Sequence, residues 1–285
     1  DNILLILYAK KKGFKIIFDI VEDYNYFQWK AQPLRNKIDK FITLKLQSWI
    51  KKYTDGIIVI STHLENKFKT IFDPNSQILF RPISVNLEEY NKNKFQFNKK
   101  EISLFYAGSY GERDSVENLI HAFDILSKEF KKLKLILAGK AFKQNLKNTM
   151  TTIKKSPYKN NINYMGYLDD ELYYKTLNSC DIPCMTRTNS GFANAGFPFK
   201  LGEYLSTGKP VIASSVSDVG RYLTHKKNAM LIRPGSTESI VSSIRYLILH
   251  PEKASEIGYN GRKVAEEHFD YNKHGEKMYN FFNKI

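Results

Sequence analysis

The stretch Gly191-Phe-Ala-Asn-Ala-Gly-Phe-Pro-Phe-Lys-Leu-Gly-Glu-Tyr-Leu-Ser-Thr-Gly-Lys-Pro-Val-Ile-Ala-Ser214 sets the reading of the whole chain. Gly191 and Gly196 allow backbone geometries that side chains forbid, so residues 191–196 read as a flexible glycine-rich loop. Pro198 is tolerated in a first helical turn, where a missing N–H costs nothing. Gly208 stops the helix, and 210–214 reads as a buried strand. Lys200 and Glu203 stand three apart and share one face of that helix near its amino end. Free N–H groups and the helix dipole favour an anion there. An added ammonium suits a diphosphate, and a neighbouring carboxylate accepts hydrogen bonds from sugar hydroxyls.

Outward from this segment, helices and strands alternate. Downstream of residue 103, strands are predicted at 103–107, 133–138, 162–165, 181–185, 210–213 and 229–232. The turn Gly108-Ser-Tyr-Gly111 follows the first of these and Gly139 ends the second. Helices are predicted at 116–130, 142–155 and 169–178, and from 233 to Ile285. Upstream, a helix end at 3–12 stops at Gly13 and strands fall at 15–21, 56–61 and 77–80. Helices fall at 35–53, with Ile38, Phe41, Ile42, Leu46, Trp49 and Ile50 on one side, and at 62–72. Residues 86–100 are polar and Asn-rich, a linker. Strands without clean alternation, separated by helices, imply parallel sheets covered on both faces. The expectation is an α/β chain of two Rossmann-like domains, residues 1–94 and 95–268, followed by a closing helix at 269–285. Ligands are expected at the carboxyl ends of strands. The chain opens on Asp1 in mid-element and without signal-peptide character, so the first domain is expected to be incomplete.

The formal charge is +15, from 44 Lys and Arg against 29 Asp and Glu. Nucleic acid, an anionic membrane face and phosphorylated small molecules all fit that sign. The aromatics fall mainly on core faces rather than among basic clusters, which argues against nucleic acid. No apolar run reaches the length of a membrane span. Cys180 and Cys184 match no zinc spacing and read as core residues of a reducing cytosol, too far apart along a strand to bridge. No Asp-x-Asp occurs, and the six histidines do not pair in sequence; no metal and no other cofactor is expected.

Several segments together resemble the donor-binding half of a GT-B glycosyltransferase of the "glycosyltransferases group 1" type. They are Tyr106-Ala-Gly-Ser-Tyr-Gly, Glu117-Asn-Leu-Ile-His-Ala-Phe, Leu135-Ile-Leu-Ala-Gly139, Tyr164-Met-Gly-Tyr-Leu168 and Phe197-Pro-Phe-Lys-Leu-Gly-Glu-Tyr-Leu-Ser-Thr-Gly-Lys-Pro-Val-Ile212. The resemblance covers about 103–268. Residues 17–23 and 55–61 are similar, less specifically, to strands of that family's acceptor domain. The helix 271–285 is similar to the one that crosses back to it. The resemblance implies a retaining transferase using a nucleotide diphosphate-sugar donor without metal, and a saccharide or lipid-linked acceptor in cell-surface polysaccharide or glycolipid assembly. It implies that Gly108 and Ser109 lie under the phosphates, Lys200 neutralises the diphosphate, Glu203 grips the ribose, and Asn194, Ala195 and Gly196 face the transferred sugar.

Departures from the family pattern matter. Ser109 stands where an Arg is common and Asp114 where a Lys is common. Ala195 occupies the place of the earlier of two glutamates, and Glu22-Asp23 that of a His-Asp pair. Arg113 and Arg187 are candidates for the missing charge, Lys140 for a donor contact, and Glu22 and Asp23 for catalysis at a strand end. A cytoplasmic enzyme, peripheral at the inner face of the membrane, is expected. The alternatives are a nucleotide-sugar epimerase on the same fold, a basic binding module, or a non-catalytic relative.

Overall fold

The computed structural model describes residues 3–23, 38, 51–72, 77–90, 95–97, 101–111, 113–140 and 143–285. The predicted helix at 35–53 lies mostly outside them. Two parallel sheets account for the architecture, as the alternating pattern requires.

In the first sheet, β1 (Ile17–Ile20), β2 (Gly56–Val59) and β3 (Gln77–Phe80) lie side by side in chain order. Ile17, Gly56 and Gln77 pair at one end, and Ile20, Val59 and Phe80 at the other. Only β2 is buried throughout. Helix α1 (Ile3–Lys11) precedes the sheet, and Gly13 at φ +82° lets the chain turn after it. Helix α2 (Thr62–Ile71) begins where Ser61 Oγ accepts from the Leu64 N–H, an N-cap, and it buries Leu64 and Phe68.

The second sheet contains β4 (Ile102–Ala107), β5 (Leu133–Ala138), β6 (Ile162–Gly166), β7 (Ile182–Met185), β8 (Ile212–Ser214) and β9 (Met230–Ile232). Its order is β6-β5-β4-β7-β8-β9, all parallel. Chain order runs outward from β4 in one direction and then, from β7, in the other. The crossovers are α3 (Val116–Glu129), α4 (Lys143–Lys155), α5 (Asp170–Ser179), and the pair α6 (Gly191–Ala195) and α7 (Phe199–Ser206). Helices α8 (Val219–Tyr222), α9 (Thr237–Leu249) and α10 (Pro251–His268) complete the layers. Leu119, Ile120, Phe123 and Leu126 of α3 recur at helical spacing and are wholly buried against β4 and β5.

The two sheets share a hydrophobic core. Ile57, Val59, Leu64 and Phe68 join one cluster with Phe105, Leu201, Tyr204 and Phe269. Gly202 is the close-contact point: a Cβ there would lie 2.6 Å from both Ile83 and Val85 side-chain carbons. Val85 also exchanges backbone hydrogen bonds with Phe269 and Tyr271. The final helix, α11 (Tyr271–Phe282), then returns to the first sheet, where Phe281 and Ile285 cover Gly56.

Three expectations change. Within the predicted loop at 191–196, Gly191–Ala195 form a short helix, because Ser190 Oγ accepts from the Ala193 N–H and Ala193 and Ala195 are buried. The segment read as a polar linker includes a 3₁₀ turn at Leu87–Glu89 and two buried aromatics, Tyr90 and Phe97. Tyr90 packs edge-on against Tyr174. Cys180 caps α5 instead of lying on a strand, and both cysteines are buried free thiols.

Candidate functional site

Where a parallel sheet reverses its winding, neighbouring crossovers leave on opposite faces and a crevice opens at the carboxyl ends of the strands. Here that point lies between β4 and β7. Gly108 ends β4 beside Gly139, which ends β5 at φ +122°. A Cβ on Gly139 would run into the Gly108 carbonyl, and one on Gly108 into the Tyr106 phenol. Tyr204 fastens α7 to this edge, its hydroxyl accepting from the Ala107 N–H at 2.9 Å.

The turn after Gly108 is built around Asp114. This buried carboxylate accepts from Ser109 Oγ at 2.8 Å and from the Gly111 N–H at 2.9 Å. Asp114 therefore shapes the loop, and Arg113 and Arg187 are the cations beside it. Arg113 lies over the Phe192 ring at 4.5 Å and reaches Glu22 at 3.4 Å. Arg187 follows β7, its backbone N–H held by Ser214 Oγ at 2.8 Å. Among the described residues, no carboxylate pairs with its guanidinium within 4 Å. Burial, then the like charge of Arg113, pulls the Arg187 pKa below the ordinary value, with Asp114 opposing. An arginine stays charged through such a shift. A half-buried cation in this position attracts an anion.

Lys200 lies in the first turn of α7 and Glu203 one turn on, paired at 3.1 Å. Tyr173 of α5 joins them: its hydroxyl donates to Glu203 Oε2 at 2.5 Å, and Lys200 Nζ lies 4.0 Å from its ring centre. The i,i+3 spacing was legible in sequence; the tyrosine thirty residues away was not. Lys140 is exposed just beyond Gly139, with no side-chain hydrogen bond or ion pair among the described residues. Ser109 is exposed on the same edge.

Asn194, Ala195 and Gly196 play a joining role. Asn194 donates to Asn189 and accepts from the Ser217 N–H. The Ala195 methyl is wholly buried and its carbonyl accepts from Ser61 Oγ at 2.5 Å, so that side chain does not face a ligand. The Gly196 carbonyl accepts from Ser217 Oγ. A Cβ on Gly196 would lie 3.1 Å from the Val21 carbonyl, so this residue brings the first sheet's carboxyl edge against the second.

That facing edge carries Glu22 and Asp23, expected to be catalytic. Glu22 is half-exposed and pairs across the interface with Arg113. Asp23 differs: its side chain is 2% exposed, accepts from His63 Nε2 at 2.9 Å and pairs with Lys67 at 2.6 Å. In this arrangement Asp23 anchors α2 and orients His63 instead of meeting a ligand, a correction to its expected role. The pairings span 40 and 44 residues, beyond any local motif.

Residues 88–264, more than half the chain, match the profile described as "Glycosyl transferases group 1". The chain belongs to the glycosyl transferases group 1 family. It is 23% identical over 291 residues to the uncharacterized glycosyltransferase MJ1069 of Methanocaldococcus jannaschii, covering all of this chain and 72% of that one. It is 22% identical over 276 residues to the capsular polysaccharide biosynthesis glycosyltransferase CapM of Staphylococcus aureus, covering 93% and 68%. Among solved structures, Anabaena Alr3699/HepE in complex with UDP and glucose superposes with a TM-score of 0.80 at 15% identity, over 99% of this chain and 75% of that one. The fold is that of a two-domain GT-B glycosyltransferase, and no described helix is long and apolar enough to cross a membrane.

Proposed function

We propose that this group 1 glycosyltransferase takes a nucleotide diphosphate-sugar in the crevice between β4 and β7 and transfers the sugar to a saccharide or lipid-linked acceptor. The observation that carries this reading is the reversal of strand order at β4 and β7, with Gly108 and Arg187 following those two strands and the Lys200–Glu203 pair on the helix of the next crossover. Gly108 and the exposed Ser109 at the end of β4 meet the diphosphate, the missing side chain of Gly108 making room for the Tyr106 phenol. Arg187, Arg113 and Lys200 supply positive charge where negative charge develops on the departing nucleoside diphosphate, which lowers the barrier. Glu203 accepts from the ribose hydroxyls. The donor sugar then lies toward α6, facing Glu22 and His63 on the opposite wall. Solved HepE complexes with UDP and UDP-glucose support the donor class, and the name of CapM supports a role in surface polysaccharide assembly.

We extend the proposal to retention of anomeric configuration, to transfer without a metal ion, and to an anionic lipid surface as the place of action, which the basic excess favours. Calorimetry with UDP, ADP and GDP tests the core of the reading; a folded protein that binds none of them overturns it. With an active donor and acceptor in hand, proton NMR of the product reads the anomer and a chelator tests metal independence. Cosedimentation with anionic and neutral vesicles tests the surface.

A further inference from the structure

We propose that Tyr173 is a positioning residue for nucleotide recognition, holding one oxygen of Glu203 so that the other is presented to the vicinal hydroxyls of the ribose. The inference rests on the reading of Glu203 given above.

Tyr173 is fixed by its own helix. Asp169 caps α5 by accepting from the Leu172 N–H, and its carbonyl accepts from the Tyr173 N–H at 2.9 Å. The ring is buried in an aromatic cluster, 6.1 Å from Phe105 and 5.5 Å from Tyr174 between centroids. Only the hydroxyl end and one face meet the site. Hydroxyl and face act on different partners: the O–H donates to Glu203 Oε2, and the face carries the Lys200 ammonium. Lys200 Nζ approaches that same Oε2 at 3.1 Å. Both donors therefore load one carboxylate oxygen. Oε1 makes no hydrogen bond among the described residues, and the Glu203 side chain keeps 24% of its surface exposed.

A carboxylate with both oxygens free rotates and samples many poses. One whose Oε2 is bound by a rigid phenol has a fixed plane, and its Oε1 points one way. The gain is pre-organisation: a hydroxyl donor finds its acceptor already aimed. Burial, with Tyr204 and Glu203 close by, pushes the Tyr173 phenol well above its usual pKa, so it remains a donor at neutral pH. A phenylalanine would fill the same space and keep a face for Lys200, so the hydroxyl alone carries the difference.

The test compares ribose and deoxyribose ligands on the full chain. Calorimetry first identifies which of UDP, ADP and GDP binds most tightly, and that diphosphate is then compared with its 2′-deoxy and 3′-deoxy forms. The wild type is expected to prefer the ribose form by about tenfold, the scale of a hydrogen bond to a charged group. Tyr173→Phe is expected to weaken the ribose form by about tenfold while leaving the deoxy forms unchanged, so the preference disappears. Because the readout is a ratio measured on one protein, a reduced folded fraction does not alter it. A preference retained in Tyr173→Phe overturns the proposal. Should that variant not fold, Tyr173→Met replaces it: it also lacks the hydroxyl, and a preference retained there overturns the proposal equally. A wild type that binds no diphosphate rejects the donor reading itself. One that binds without ribose preference rejects the role of Glu203 and the inference with it.

Discussion

The two sheets are wound differently. In the six-stranded sheet the chain leaves β4 in one direction and later returns to its other side, and that reversal opens a crevice within a single unit. In the three-stranded sheet β1, β2 and β3 follow in simple order, so it has no reversal among its described strands. The burial differs as well. Ile182–Met185 of β7 is fully buried, whereas β1 and β3 are half-covered and depend on neighbours. The lesson is a division of labour: the larger sheet builds the crevice from its own strand ends. The smaller contributes a wall, held in place by Ser61, Gly202 and the helix α11.

Substitutions can break this contrast, and the largest effect should come from glycine. Gly139→Ala puts a methyl group into the Gly108 carbonyl at a φ of +122°, and should cost about 4 kcal/mol in urea unfolding. Gly13→Ala, also at positive φ but with open space around it, should cost only about 1 kcal/mol. Next in size, Arg187→Met should weaken binding of the preferred nucleoside diphosphate by about thirtyfold in calorimetry. Lys69→Met, which removes only the exposed pair with Glu65, should leave that affinity unchanged. Gly202→Ala presses on Ile83 and Val85 at the joint and should cost about 1.5 kcal/mol in urea unfolding.

The smallest effect sharpens the comparison through pH. His274 of α11 donates from Nε2 to the His268 carbonyl at 2.9 Å, and in the neutral ring its Nδ1 accepts from Ser84 Oγ at 2.7 Å. Burial, foremost, lowers its pKa. The unfolded chain binds this proton more readily, so stability is full above the ordinary histidine value of about 6.5 and is lost as pH falls from there through the folded-state pKa. Urea midpoints should decline over that window in the wild type and less steeply in His274→Gln.

The sequence disclosed what is local. Strand and helix order followed from unbroken β-branched runs between helical patterns, and Lys200 with Glu203 from their spacing on one turn. Gly108 and Gly139 stood out as strand-ending glycines. Contacts that span the chain stayed hidden: Tyr173 with Glu203, Asp23 with His63 and Lys67, and Ser61 with Ala195 meet only after the sheets form. The glycines around 191–196 outweighed a visible cap, Ser190, and concealed a helix. Tyr90 was read as linker because its neighbours are polar, although its ring completes an aromatic cluster from α5.

Both cysteines of the chain are sealed in the interior, and burial pushes the Cys180 thiol up to about 12. They are therefore slow to react with maleimide dyes while the protein is folded. A single cysteine introduced on each rim of the cleft can be labelled in the presence of the native pair, and energy transfer between the dyes would report the distance across it. Labelling of the native thiols, in turn, marks the moment at which the larger sheet comes apart.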